Sequence, residues 1–84
     1  MRFTRVMPED ISSVPRHRYV SYMLLLTSDK CYSFEEFLAI HKWREQKLGY
    51  KTWTKELEVD CAYALIWLIE KGLIKVVEET YGVH

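Results

Sequence analysis

The segment 64–79 constrains the fold more than any other part of this chain. It reads ALIWLIEKGLIKVVEE, so an apolar helical stretch meets Lys71 and Gly72 and a β-branched stretch follows at once. A glycine with a positive φ angle ends a helix and turns the chain back along it. The sequence therefore predicts a helix that stops at Gly72 and a strand near residues 73–78.

Length and composition describe one folded domain. The chain has 84 residues, of which 49% are hydrophobic and 29% charged, a balance typical of a globular domain with one modest core. The longest apolar stretches, 23–26 and 62–69, are far shorter than the roughly 20 residues that cross a bilayer. No secretory signal pattern begins the chain. We therefore expect an intracellular protein with no membrane contact.

Helical periodicity predicts three helices, near residues 14–28, 33–48 and 54–71. Ser13 is the expected N-cap of the first helix, with Pro15 in its first turn. Residues 1–13 are expected to form an arm or a short strand. The apolar spacing predicts which side chains are among the most buried, namely Leu24, Phe37, Leu57, Leu65 and Leu68.

The second helix has the clearest local signature. Ser33 and Glu36 have the spacing of a capping box, and Tyr32 and Phe37 have that of a hydrophobic staple. Its buried face is expected to run from Phe34 through His41 to Leu48, where Gly49 ends the helix. Residues 31–32, just before it, are expected to form a short strand.

The junction L-x-x-K-G-L-I at residues 68–74 resembles the end of the third helix in winged helix-turn-helix domains. The order helix, short strand, helix, turn, helix, strand over residues 14–77 fits the same superfamily. The resemblance implies a mainly α domain of the α+β class, with a three-helix core and a short β-wing. Only seven residues follow Val77. Either the wing is stunted, or residues 3–6 pair in place of its return strand.

The resemblance also implies that duplex DNA is the partner and that the protein is a small transcriptional regulator. The net charge is zero, but residues 1–55 carry +4 and residues 56–84 carry −4. Lysine and arginine neutralise phosphates, and threonine hydroxyls near a helix start fix the register. Arg2 and Arg5 would act as a basic arm in the minor groove. The other expected contacts lie around the helix-turn-helix: Arg44, Lys47, Lys51, Thr52, Thr54 and Lys55.

A protein-binding module is the alternative interpretation. Glu56, Glu58 and Asp60 in the first turns of helix 3 would repel phosphates. The outward positions of that helix are mostly apolar, and a helix that is apolar nearly all round is usually buried on a second side. Either the first and second helices of the same subunit cover this side, or a homodimer or a protein partner does. In the second case the interface residues would be Tyr63, Ile66 and Trp67.

No enzyme, metal or small-molecule signature occurs in the sequence. His17, His41 and His84 have no metal-ligand spacing, and neither a phosphate-binding glycine loop nor a nucleophile elbow is present. Cys31 and Cys61 are too far apart for a C-x-x-C motif and are expected to be small buried hydrophobes, with a disulfide as the lesser alternative. We therefore expect a non-enzymatic protein without a cofactor.

Overall fold

The described part of the chain forms three α-helices and a three-stranded antiparallel sheet. We describe a computed structural model over residues 1–6, 11–49 and 54–78. In chain order the elements are strand β1 (Arg2–Arg5), a 3-10 turn (Ile11–Ser13), helix α1 (Val20–Met23), strand β2 (Cys31–Tyr32), helix α2 (Phe34–Lys47), helix α3 (Lys55–Glu70) and strand β3 (Ile74–Glu78). The fold is therefore of the α+β class, with two long helices and one very short one.

The N-terminal strand lies in the middle of the sheet, whose order is β2-β1-β3. Phe3 lies opposite Tyr32 of β2 and opposite Val76 of β3. Of the two alternatives expected for the strand after α3, pairing with the N-terminal segment is the one observed. The N-terminal segment is thus a strand, and the predicted short strand at residues 31–32 is confirmed.

The junction after α3 has the predicted geometry. Gly72 has a φ of 74°. Its N–H donates to the carbonyl of Ile69 at 3.0 Å, and the N–H of Leu73 donates to the carbonyl of Leu68 at 2.9 Å. These two bonds are the pair that defines a Schellman motif. The motif directs β3 back beside α3 and into register with β1.

The capping box of α2 is also confirmed. The Ser33 hydroxyl accepts from the Glu36 N–H at 3.2 Å, and the Glu36 carboxylate accepts from the Ser33 N–H at 2.9 Å. The hydrogen bond from the Ser33 N–H to the carboxylate lowers the pKa of Glu36. Gly49, with a φ of 92°, follows the last turn as expected. The bounds predicted for the second and third helices are correct to within a residue or so at each end.

The prediction for the first helix was wrong. A helix over residues 14–28 with Ser13 as its N-cap is replaced by the single turn Val20–Met23. Proline disfavours helical backbone at the residue before it, here Val14. The Nδ1 atom of His17 accepts the Tyr19 N–H at 3.1 Å, and Tyr19 is the N-cap residue of the short helix.

The short α1 changes which side chains reach the core. Leu24 was expected to be buried but is 57% exposed, because the helix has ended; Tyr22, Met23 and Leu26 are buried instead. Leu48, at the C-cap of α2, is 65% exposed rather than buried. Leu57 is only half-buried. The observed core joins the sheet to all three helices and consists of Phe3, Tyr22, Met23, Leu26, Tyr32, Phe37, Cys61, Ala64, Leu65, Leu68, Leu73 and Ile74.

Candidate interaction surfaces

Asp60 of α3 is the centre of a polar network that joins α3 to α1. Arg18 donates two hydrogen bonds to its carboxylate, at 2.8 and 3.0 Å. The hydroxyl of Tyr22 donates at 2.6 Å and that of Tyr19 at 3.2 Å. The carboxylate is therefore turned towards α1 and neutralised there. The sequence had suggested that Asp60 presents a free negative charge to a partner of α3, and the structure shows that it does not.

The electrostatics of this network follow from its hydrogen bonds. Those from Arg18 lower the pKa of Asp60, and those from Tyr22 and Tyr19 add to the effect, against an opposing effect of burial. Burial and the bond to Asp60 raise the pKa of Tyr22. The carboxylate thus stays ionised and both tyrosines stay protonated at neutral pH. Sequence reasoning missed this network, although an acid within the apolar run of α3 signals a need for a partner.

Trp67 is less available to a partner than predicted. The ring of His17 stacks on it, with centroids 4.3 Å apart and an interplanar angle of 23°. Tyr19 packs edge-on against the same indole at 6.0 Å. Trp67 is consequently half-buried by the segment that precedes α1. Of the three predicted interface residues, Tyr63 and Ile66 remain as exposed ones.

The outer side of α3 carries an exposed apolar stripe. Val59, Tyr63 and Ile66 are 46%, 61% and 52% exposed. Their spacing of four and three residues places them on one side of the helix, opposite the buried Cys61 and Leu65. We use the name α3 stripe for these three residues together with Lys55 and Glu70, which lie at the two ends of the helix. The helix is thus apolar on two opposite sides, of which the fold covers one.

The structure disperses the residues predicted to contact DNA. Arg2 and Arg5 lie in the central strand and not on a free arm. Arg2 donates to the Cys31 carbonyl at 3.4 Å and lies 3.7 Å from the Glu36 carboxylate. Arg5 donates to the Leu26 carbonyl at 3.1 Å. Both guanidinium groups therefore form hydrogen bonds to backbone carbonyls of the same chain.

The other predicted contacts, which follow one another between α2 and α3, have different surroundings. The Arg44 guanidinium lies over the ring of Tyr22 at 5.2 Å and is half-buried. The Thr54 hydroxyl caps α3 by accepting from the Leu57 N–H at 3.3 Å. Lys47 and Lys55 are exposed, and Lys51 and Thr52 lie outside the described residues.

The outer side of the second half of α2 is cationic and aromatic. Lys42, Trp43, Gln46 and Lys47 are all exposed there, and Trp43 is 57% exposed. The Lys47 ammonium lies 5.7 Å from the centre of the Trp43 ring. Glu45, the acid within this segment, is turned inward and lies 3.8 Å from Arg44. We call these four residues the α2 surface; sequence reasoning had singled out only Lys47 of them.

His41 is a buried histidine of the core. It is 2% exposed and lies between the rings of Phe37 and Tyr22, at 4.4 and 4.3 Å. Burial lowers its pKa to about 4, and the nearby charge of Arg44 contributes. The imidazole is therefore neutral at pH 7. Among the described residues, neither ring nitrogen has a hydrogen-bond partner.

Other chemistry is sparse in the described part of the chain. A cavity of about 350 Å³ is lined by Val14, Pro15, Val20, Met23 and Leu24 and by three basic side chains, Arg5, Arg16 and His17, with no carboxylate or nucleophile among these. Cys61 is buried as expected, whereas the expectation of a buried Cys31 was wrong because this side chain is exposed, and both are free thiols. Residues 1–6, 11–49 and 54–78 contain no group of three metal-ligating side chains. Within the same ranges, no helix has both the length and the apolar character to cross a membrane.

Comparisons with known proteins give no match. No family model fits this sequence, and neither curated proteins nor solved structures include a significantly similar chain.

Proposed function

We propose that this protein is a small DNA-binding regulator of the winged-helix type, acting without catalysis. The element order β1-α1-β2-α2-α3-β3 and the three-stranded antiparallel sheet support the proposal. So does the Schellman turn that leads from α3 into β3.

The α2 surface is the observation that carries the proposal. It combines two lysines with an exposed tryptophan and a glutamine, and no acidic side chain is exposed between residues 42 and 47. Lysines neutralise phosphates, glutamine can contact phosphate oxygens or base edges, and an aromatic ring can pack on sugar or on a base. A helix surface of this composition therefore suits a nucleic-acid backbone better than it suits an acidic or apolar partner.

The contact is assigned to α2 rather than α3 on electrostatic grounds. Glu56 and Glu58 are exposed in the first turn of α3, and the outer side of that helix is apolar. Both properties oppose entry of α3 into a groove lined by phosphates. Because Asp60 is neutralised by Arg18, it does not add to this repulsion.

A salt titration tests the proposal. Binding of a fluorescent generic duplex is followed by anisotropy as the salt concentration is raised. Two lysine–phosphate contacts predict a slope of about −1.8 in log affinity against log salt, and each further contact adds about −0.9. A duplex that fails to bind at low salt, where the electrostatic attraction is strongest, would rule out the function.

A second candidate function is binding of another protein chain through the α3 stripe. The three apolar side chains of the stripe are each about half exposed on one side of a 16-residue helix. Apolar patches with charged ends are typical of protein interfaces. This function is compatible with the first, since the α2 surface and the α3 stripe are on different helices.

A further inference from the structure

We propose that the α3 stripe binds the same stripe of a second copy of this chain, with the two α3 helices antiparallel. The inference specifies the partner for the second candidate function and does not depend on DNA binding. The two-fold axis would pass between Ala62 and Tyr63, at the middle of α3. The argument rests on how the side chains are distributed along and around this helix.

The stripe is continuous along the whole helix. At 3.6 residues per turn, Lys55, Val59, Tyr63, Ile66 and Glu70 fall within a sector of roughly 80°. Spacings of four, four, three and four residues keep them on one line, as in the seam between two packed helices. All five side chains are exposed. A partner helix could therefore contact the stripe from one end of α3 to the other.

The chemistry of the stripe is self-complementary in one direction only. In an antiparallel pair centred between Ala62 and Tyr63, Val59 faces Ile66 of the partner subunit. Lys55 then faces Glu70 of the partner subunit, so that two ion pairs close the ends of the seam. In a parallel pair, Lys55 would face the partner's Lys55, and Glu70 would face the partner's Glu70. Charge complementarity therefore selects the antiparallel arrangement.

The two end charges are unfavourable within a single subunit. Lys55 lies at the positive N-terminal end of α3, and Glu70 lies at the negative C-terminal end. In the antiparallel pair, each charge meets an opposite charge and the opposite end of the partner's helix dipole. Dimerisation thus places both charges favourably.

The surface beside Val59 can receive an apolar side chain. A shallow depression of about 300 Å³ is bounded, among the described residues, by Lys55, Glu56 and Val59. Ile66 of the partner subunit would lie over this depression in the antiparallel pair. The helix is about 24 Å long, so the contact is smaller than a standard interface of about 1,600 Å². We therefore expect a reversible dimer rather than an obligate one.

The first measurement is sedimentation equilibrium of the full chain without DNA. It covers about 5 µM to 1 mM, because a small interface requires high concentrations. The wild type should show a monomer–dimer equilibrium, and Ile66→Lys should sediment as a monomer. Val77→Lys is the matched control, since Val77 is also an exposed apolar residue, 42% exposed, on β3. It should dimerise like the wild type. Circular dichroism confirms that each variant is folded.

A charge-reversal experiment then tests the direction of the helices. Lys55→Glu alone, and Glu70→Lys alone, place like charges at both ends of an antiparallel seam and should weaken dimerisation roughly tenfold. An equimolar mixture of the two variants restores opposite charges at both ends. It should form a heterodimer of near wild-type affinity, which native mass spectrometry detects when one variant is isotope-labelled.

Three results would overturn the inference: a wild-type monomer at the highest concentration, a dimer insensitive to Ile66→Lys, or charge variants that dimerise like the wild type. The last is what a parallel pair predicts, since reversal leaves like charges facing each other. These outcomes are separate from the fate of the DNA proposal. A monomer that still binds duplex DNA refutes the dimer alone, and a dimer that does not bind DNA refutes the regulator alone.

Discussion

Replacing Asp60 with asparagine should destabilise the domain by about 2 kcal/mol at pH 7. The short bond from the buried Tyr22, at 2.6 Å, is a hydrogen bond to a charged group, worth about 1.5–3 kcal/mol. The bonds from Arg18 contribute less than about 1 kcal/mol, because its side chain is 63% exposed. The asparagine retains part of this stabilisation, since its side-chain carbonyl still accepts one hydrogen bond.

Urea unfolding followed by circular dichroism measures this loss. The midpoint should fall while the m-value stays constant, and the melting temperature should drop by about 8–16 °C for a domain of this size. Glu58→Gln is the matched control. It removes a charge from an exposed position of the same helix, and its effect should stay within about 0.5 kcal/mol.

The pH dependence gives a second readout of the same network. The pKa of Asp60 is lower in the folded chain than its ordinary value, so the stabilisation is complete above that ordinary value. As the pH falls below about 4, the carboxylate is protonated first in the unfolded chain, so the stabilisation declines. It is lost once the pH has also fallen through the lower pKa of the folded carboxylate. The difference between wild type and Asp60→Asn should therefore shrink in acid. A difference below 0.5 kcal/mol at pH 7, or one that persists unchanged to about pH 2, would refute this account.

Two further stability predictions concern α2 and the end of α3. The pKa of His41 is about 4 in the folded chain against 6.5 ordinarily, so the wild type should lose stability as the pH falls from 6.5 to 4, by up to about 1.4 kcal/mol per unit. His41→Leu should abolish this slope in pH-dependent urea unfolding, and a retained slope would contradict the assignment. Gly72→Ala should cost about 1 kcal/mol, because a φ of 74° is unfavourable for a residue that has a Cβ. An added Cβ meets no atom of the described residues within 4 Å, so no steric clash adds to this cost. Unchanged stability in the same assay would show that the turn relaxes.

The parts of the fold that the sequence predicted well are those with a local cause. The capping box at Ser33 and the turn at Gly72 each depend on residues within one helical turn, and both have the expected hydrogen bonds. The apolar periodicity of α3 correctly identified Leu65 and Leu68 as buried. Local signals of this kind fixed where α2 and α3 begin and end.

The parts that it predicted poorly depend on contacts between distant segments. The N-terminal strand pairs with β2 and β3 across about 30 and 70 residues, and no local pattern could choose this over a free arm. The first helix is shorter than predicted, because Val14 precedes a proline, which disfavours helical backbone there. Consequently Leu24 was placed in the core and Leu26 was not.

The candidate surfaces show the same division. The exposed side of α3 followed from helical periodicity, so Tyr63 and Ile66 are exposed as predicted, and their role in an interface stays a prediction. Trp67 was not, because the stacking of His17 joins residues 50 positions apart in the sequence. The network around Asp60 likewise brings Arg18 across 42 positions. Periodicity reveals which side of a helix a residue occupies, but not which distant side chain covers it.

Binding of duplex DNA by charge variants of the α2 surface tests the central claim most directly. Lys42→Gln combined with Lys47→Gln removes two charges from the α2 surface. Lys30→Gln combined with Lys75→Gln removes two exposed charges beside β1 and is the matched control. The α2 double variant should bind all sequences more weakly, and its salt slope should be shallower by about 1.8. The control variant should retain most of the affinity and most of the slope. Equal weakening by the two pairs, or wild-type binding by the α2 variant, would contradict the assignment of DNA binding to this surface.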